Sequence, residues 1–497
     1  VGIECLVKSS RCVVPGLFAL ACAACTVGPD PRRPDVDVPQ GWAAARDAKI
    51  STDLPSRVVA APASDGRWWS VFNDPVLDGL MASAMAQSLD VQEAGLRIAE
   101  ARAQRDAATG AYYPSVESSN LGARTRMGAG GIGQALSGGQ GAGSSSSSSS
   151  SGISTNLFNV GFDATWEPDL FGKTRRSVQA AEAGIRSAEE QRHDAMLSLA
   201  AEITRAYLAL RGAERTRALT LADIASQEQL QTLIASRNRS GLAPTSDVAT
   251  QQVQVSGTRA QLPQIEQNIT TNRNRLALLL AMPPGALDAR LGEGAIPALP
   301  PEVPVGLPGD LLRRRPDIRR SEAEAEAAMA RIGVARAALY PSVRFAAIGA
   351  FSSNETSSLF EWASRFGLVG AQLSIPIFEG GKLQAQLRIA DLRSQEAILS
   401  YRQTVLAAFH DVDNAMTTYA QDQRRTRDLA RQSNDSRRGR ELARDRYTSG
   451  LGAYIDVLNA EHQANQVELD LAQSTVTAST DLVALFKALG GGWDDAR

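Results

Sequence analysis

The sequence predicts a mainly α-helical chain with a minor β portion, built as two homologous halves. Three observations carry this. Ile377–Arg497 is a run of 121 residues without proline, and the interval between Pro168 and Pro244 is also proline-free. Both are rich in Ala, Leu, Gln, Arg and Glu, the composition of long helices. Landmarks of the first half recur in the second. Asp90 and Tyr113-Pro114-Ser115-Val116 match Asp317 and Tyr340-Pro341-Ser342-Val343 at an offset of 227. Trp166-Glu-Pro168 matches Ser374-Ile-Pro376 at 208, and Ser240-Gly241-Leu242 matches Ser449-Gly450-Leu451 at 209. Such self-similarity is an internal duplication. Finally, a few runs of about ten residues alternate apolar and polar, as strands do.

The chain has 52 basic and 54 acidic residues, a net charge of −2 and only 5% aromatics. No basic stripe suggests nucleic acid as a partner. No apolar run approaches the ~18 residues of a membrane-spanning helix, a test to which β-barrel strands are blind.

In chain order, residues 1–24 have the layout of an export signal, with Lys8 and Arg11 ahead of an apolar run to Ala24. Cys5, Cys12, Cys22 and Cys25 are the four cysteines, so the body of the chain has no disulfide framework. Ala23-Ala24-Cys25 reads as the end of a lipoprotein signal, with Cys25 as the lipidated residue; an ordinary cleaved signal is the alternative. Residues 25–75 form a proline-rich extended arm, ending where Asp74 and Pro75 supply an N-cap and a first helical residue. The first repeat spans 76–283, with strands at about 114–124 and 157–167 and a long helix at about 173–240. Between those strands lies a Gly-rich segment with eight consecutive serines, Ser144–Ser151, which reads as a flexible loop. Gly128-Ala-Gly130-Gly-Ile-Gly133 sits in it without a flanking strand–helix unit, so it is not a dinucleotide fingerprint.

A proline-rich linker follows at 284–310. The second repeat spans 311–489, with strands at about 341–351 and 368–378 and a long helix at about 381–449; residues 490–497 are a tail. Met196, Leu199, Ile203, Ala206 and Leu210 keep the 3-4 spacing of a coiled coil. A helix of that length is roughly 100 Å long. Asp90 and Asp317 read as N-terminal helix residues, and the Arg313–Arg315 run as a solvated face. Phe158, Val160, Phe162, Ala164 and Trp166 share one strand face. A half-buried strand of a soluble sandwich alternates in the same way. Four strands cannot close a barrel, so a membrane reading demands pairing with other chains.

The features Cys25-Thr-Val-Gly-Pro-Asp30, the repeated Tyr-Pro-Ser-Val, Leu311-Leu-Arg-Arg-Arg-Pro-Asp-Ile-Arg319, Ile375-Pro-Ile-Phe-Glu-Gly-Gly381 and Tyr447-Thr-Ser-Gly-Leu with Asp456-Val-Leu-Asn-Ala460 occur in order. With them the mature chain resembles the outer-membrane factors of the TolC/OprM family, in the lipoprotein branch serving RND-type efflux. The resemblance implies a homotrimer in the outer membrane. Four strands per chain would make a 12-stranded transmembrane β-barrel, and the coiled-coil helices an α-barrel across the periplasm. It implies a passive duct for small molecules, fed by a periplasmic adaptor and an inner-membrane RND transporter and gated like an iris. Asp456 would belong to an acidic ring at the gate, where the family's second ring position is Asn459. Tyr447 matches a tyrosine that holds the closed state; its usual arginine partner falls on Gly452. Asp247 is the first-half counterpart of Asp456. Helix N-capping is the plainer role for both aspartates. The lipid on Cys25 and contact with outer-membrane lipid are the only non-protein groups expected.

His193, His410 and His462 have no metal-ligand spacing, and no phosphate loop or cysteine nucleophile is present, so no catalytic, cofactor or metal residues are expected. A duct for protein secretion with an ABC exporter, or a soluble coiled-coil scaffold, are the competing readings.

Overall fold

The computed structural model describes residues 26–46, 54–59, 61, 66–127 and 153–491. The expected signal at 1–24, Cys25, the serine run and the tail beyond Gly491 lie outside these. In chain order the elements are α1 (Ala43–Arg46), β1 (Arg57–Val59), α2 (Pro75–Gln87), α3 (Leu89–Gly110), β2 (Ser115–Met127) and β3 (Ile153–Trp166). Then come α4 (Lys173–Arg239), α5 (Thr245–Arg259), α6 (Leu262–Leu279), α7 (Asp288–Leu291), β4 (Glu302–Pro304), α8 (Pro308–Arg314) and α9 (Pro316–Ala337). The second half closes with β5 (Ser342–Ser353), β6 (Arg365–Ser374), α10 (Lys382–Thr448) and α11 (Tyr454–Ala488). The duplication is visible in length: α4 and α10 are both 67 residues, and α3 and α9 both 22.

The residues form two compact units. One draws on Val1–Arg32, Arg102–Ala183 and Glu326–Glu396, the other on Arg33–Ala101, Gly184–Ala325 and Ala397–Arg497.

The first unit holds an antiparallel sheet in the order β2-β3-β5-β6. Its centre is the pairing of β3 with β5, which stitches half one to half two. Phe162 faces Gly349, Val160 faces Phe351 and Trp166 faces Phe345, so these residues share one side with Val369 and Leu373 of β6. Glu117 lies opposite Asp163, on the other side. Exposure of Phe162, Phe345, Val369 and Leu373 leaves an apolar face bare. The outer edges of β2 and β6 have no strand partner among the described residues.

The fourth strand departs from expectation. It occupies Arg365–Ser374 rather than 368–378, and its last pair is Ser342 with Ser374. Beyond that, the partner side begins at Pro341 and the strand's own continuation at Pro376 has no N–H to donate. Ile375 and Ile377 therefore lie past the strand, exposed. The same unit fixes the start of the arm. The Val27 N–H donates to the Phe171 carbonyl at 3.2 Å, and the buried Arg176 donates to Asp30 Oδ1 at 2.8 Å and to the Gly28 carbonyl. Gly28, at φ +105°, is needed here, because a Cβ on it would sit 2.6 Å from the Gly333 Cα.

The second unit has the main core. Trp68 stacks on Phe486 at 5.4 Å, amid Leu77, Leu80, Met81, Tyr207, Tyr401 and Leu482. Each such fully buried large side chain contributes roughly 1.5–3 kcal/mol. Leu199, Ile203, Ala206 and Leu210 are all buried and Met196 packs beside them, as the 3-4 spacing predicts. Asp74 does two jobs: Oδ1 accepts from the N–H groups of Val76 and Leu77, capping α2, and Oδ2 accepts from the Tyr207 hydroxyl at 2.5 Å.

Three expectations change in this unit. The arm is not merely extended, since it contains α1 and β1. The 284–310 stretch is not a bare linker: it holds α7 and β4, β4 pairs in parallel with β1, and Val303 within the strand and Val305 just past it are buried. The Arg313–Arg315 run is not all solvated. Arg315 is largely buried, paired with Asp317 at 2.7 Å and Asp411 at 3.1 Å, and donates to the Ala488 carbonyl. A fixed guanidinium can join three helices where flexible surface charges would not.

Candidate gate at the helical turns

Two tight turns lie in the second unit, α4 to α5 and α10 to α11. Both use the same backbone chemistry. Gly241 and Gly450 adopt φ of +73° and +76°, which glycine enters without the Cβ clash. Leu242 N–H returns to the Arg237 carbonyl and Leu451 N–H to the Arg446 carbonyl, both at 2.8 Å. Gly241 N–H returns to Asn238 and Gly450 N–H to Tyr447. These are helix C-terminal motifs that satisfy orphan carbonyls.

Tyr447 points inward and is 5% exposed. It packs with Leu230, Ile234, Tyr454 and Val457 in a small core joining the two hairpins. The Arg237 guanidinium lies 4.6 Å from the ring centroid, and its Nη1 donates to the Tyr447 carbonyl at 2.6 Å. Burial pushes the Tyr447 phenol up, opposed by Arg237 and reinforced by Asp247. Tyr454 donates its hydroxyl to Gln251 Oε1 at 2.8 Å, and burial, with Asp247 and Tyr447, pushes its phenol up to about 12.

Asp456 is not the N-cap. That position is Ala453, and Asp456 is the third helical residue, accepting from the Ala453 N–H at 3.3 Å. It satisfies one orphan donor and complements the helix dipole. Asp456 and Asn459 are both exposed, while Asp247, in the first turn of α5, is half-buried. The structure thus brings Asp247 into the electrostatic field of the two tyrosines and leaves Asp456 and Asn459 facing solvent. Gly452 packs against Arg446 instead of supplying a cation. Arg237, from the other hairpin, is the arginine on Tyr447. Cys25 lies outside the described residues.

Sequence reading missed a second layer above the turns. Glu461 is 4% exposed and paired with Arg444 Nε at 2.7 Å. Arg444 also donates to the Ser226 carbonyl and hydroxyl at 3.1 and 2.9 Å, so it joins α10, α11 and α4. Asp223 accepts from Asn465 and, at 2.9 Å, from Gln227. Gln227 in turn donates to Thr258, and Gln251 donates to the Gln227 carbonyl. Asp223, Gln227, Gln251, Thr258, Glu461 and Asn465 line a cavity of about 250 Å³. Burial pushes the carboxyls of both Asp223 and Glu461 up. One signal was available: Tyr454, Val457, Glu461 and Ala464 follow the buried 3-4 spacing, so Glu461 takes a core position. Among the described residues no group of three metal-ligating side chains occurs, and no helix is long and apolar enough to cross a membrane. His193 is buried against Glu190, while His410 and His462 are exposed.

Paired 67-residue helices with latched turns, together with a small sheet bare on one apolar face, define an outer-membrane channel subunit with long helical extensions. The chain belongs to the outer membrane efflux protein family, whose profile matches residues 80–282 and 307–491. It is 31% identical to outer membrane protein OprJ of Pseudomonas aeruginosa over 488 residues, covering 97% of this chain and 96% of that one. It is 29% identical to the toluene efflux pump outer membrane protein TtgC of Pseudomonas putida over 480 residues, 96% of each. The solved outer-membrane channel OprN superposes with a TM-score of 0.83 at 31% identity, over 94% of this chain and all of that one. The protein is thus an efflux exit duct of the outer membrane that extends into the periplasm.

Proposed function

We propose that three copies of this chain form one passive conduit, a 12-stranded barrel continued by an α-barrel. The observation that carries this is the four-stranded sheet with two unpaired edges. Unpaired backbone in lipid costs several kcal/mol per group, so each β2 edge needs a neighbour's β6. A heptad-spaced row on α10, comprising Ile389, Leu392, Leu399 and Leu406, is exposed in the single chain and fits a second copy. The duct works without a catalytic centre. A periplasmic adaptor and an inner-membrane RND transporter feed it small molecules, and the relatives' substrates suggest drugs and organic solvents as cargo.

The turn cluster is the gate. Tyr447 and Arg237 hold the two hairpins of one chain together, and Asp247 tunes that contact. Asp456, with Asn459 a turn later, presents a carboxylate from each chain to the opening, which favours cations. A covalent lipid on Cys25 anchors the arm. Thr26 and Val27 are held at Phe171–Gly172, just after β3, which suits a lipid beside the membrane. The test is size-exclusion chromatography with light scattering on detergent-extracted mature protein, followed by bilayer conductance. A trimer with a gated pore is expected; a monomer recovered from the soluble periplasm without detergent overturns the reading. Cys25→Ser should abolish incorporation of labelled palmitate while leaving the trimer, and persistent labelling would move the lipid site elsewhere.

A further inference from the structure

The loop joining β5 to β6 is a built structure rather than a slack connection. Ser353 and Ser358 share a hydroxyl hydrogen bond of 2.7 Å, the Glu355 N–H donates to Ser353 Oγ, and the Ser364 hydroxyl donates to the Ser358 carbonyl at 2.7 Å. Leu359 is buried beneath it. With its base so fixed, the loop carries two large side chains outward: Phe360 is 69% exposed and Trp362 is 77% exposed.

Their placement continues the apolar face of the sheet. Phe360 packs edge-on against Phe351 at 5.6 Å, and Phe351 lies opposite both Val160 and Arg365. That is the side bearing Phe162, Phe345 and Val369. Arg365 lies 3.2 Å from the Trp362 ring centroid and 5.9 Å from that of Phe351. Among the described residues it has no carboxylate partner. Stacked in this way, a guanidinium keeps its N–H donors at the rim of the ring, available to an anion. The loop lies at the end of β5 and β6 opposite the helices α9 and α10, hence at the outer end of the membrane span. An apolar band that ends in amphipathic rings and an unspent cation matches the level where acyl chains give way to phosphate-bearing headgroups.

We infer that Phe360, Trp362 and Arg365 form a membrane-interface anchor, seating the two rings at the acyl–headgroup boundary of the outer leaflet and the guanidinium against anionic headgroup phosphates. This rests on the outer-membrane placement of the sheet. Its occupant is a lipid surface, because the cluster is continuous with the lipid-compatible face and carries positive charge.

The test uses the full mature protein in bilayers of phosphatidylcholine and phosphatidylglycerol. The Trp362 signal is isolated by difference from Trp362→Phe, and that of Trp166, on the same sheet face at the inner end, by difference from Trp166→Phe. Lipids brominated close to the headgroup should quench the Trp362 emission more than lipids brominated deep in the acyl chain, as for an interfacial indole, while aqueous iodide leaves it. Iodide quenching without bromine quenching overturns the anchor and places the loop in water. Quenching by neither overturns it too, by burying Trp362 against protein. Trp166 separates the layers of the argument: if bromines quench Trp166 and not Trp362, only the anchor fails; if they quench neither, the membrane placement itself fails. Thermal midpoints in bilayers of rising anionic content should climb for the wild type and for Arg365→Lys, and stay flat for Arg365→Gln. An equal climb for Arg365→Gln would remove the headgroup contact.

Discussion

The two turns at the helical tips descend from one ancestor and have diverged in a single respect. Their backbones share the same returns, with a 2.8 Å bond from Leu242 to Arg237 and from Leu451 to Arg446. Their side chains do not. The first turn has Asn238 donating to its own Ala243 carbonyl at 2.8 Å, and Thr245 exposed. The second has Tyr447 and Tyr454 at those positions, both buried. At these two positions the first turn's side chains stay with their own loop or face solvent, and the second turn's reach across to the neighbouring hairpin. Glycine geometry makes a turn, whereas the residues three before and four after that glycine decide whether the turn is a joint.

Substitutions can break this comparison at graded depths. Tyr454→Ala should have the largest effect, destabilising the tip by about 3–5 kcal/mol as a buried aromatic is lost, whereas Thr245→Ala should stay within about 0.5 kcal/mol. Hydrogen exchange of the α4 and α11 amides would read both; equal effects would mean that the turns are not functionally distinct. Arg237→Ala comes next, at about 2 kcal/mol for the carbonyl hydrogen bond and the ring contact together. It should raise resting conductance in a bilayer, while Arg446→Ala, at the duplicated position, should not. Gly241→Ala and Gly450→Ala should each cost about 1 kcal/mol or slightly more, and by the same amount, because the strain is in the shared backbone. Asp456→Ala is the smallest, at about 0.5–1 kcal/mol for the lost helix-start contact. Its clearer signature is weaker block of conductance by divalent cations, and unchanged block would remove Asp456 from the pore.

The layer above the turns gives a prediction with a definite sign. Burial, with Asp223 adding to it, raises the Glu461 carboxyl in the folded chain above its ordinary value, against the pull of Arg444 and Arg440. A carboxyl raised in this way contributes stability that is fully present below its unfolded pKa and is lost as pH rises through the folded one. Mild acidification from neutral pH should therefore raise the protection factors of the α11 amides around Glu461, once the intrinsic slowing of amide exchange by acid has been divided out. Glu461→Gln should flatten that dependence; a tip that loosens on acidification would mean that the Arg444 ion pair outweighs burial.

Much of this fold was legible because duplication and turn chemistry act locally. Tyr-Pro-Ser-Val, the paired glycines and the proline-free runs each constrain a few neighbouring residues, and the helices ended within a residue or two of expectation. The Asp74 cap was legible for the same reason. The fourth strand was misplaced because Leu373, Ile375 and Ile377 alternate as a strand should, and alternation does not reveal where the partner strand stops. Arg237 on Tyr447 and Arg444 on Ser226 are separated by 210 and 218 residues. Nothing in a linear pattern distinguishes an arginine that crosses to another hairpin from one that meets water. Gly452 was informative as a departure: it showed that the usual cation was missing, though not where its replacement came from.

The pairing of β3 with β5 has a consequence for how the chain must be made. Trp166 waits for Phe345, and Phe158 for Ser353, so the middle of the sheet cannot form until most of the polypeptide has been delivered. In the meantime the β2–β3 hairpin carries Phe158, Val160 and Phe162 along an edge with no mate. Contacts so distant in sequence close slowly, and an unmated apolar edge invites the wrong partner. The sheet is therefore among the last parts of the molecule to mature, and the chain's passage to the membrane is the stage at which it most needs an escort.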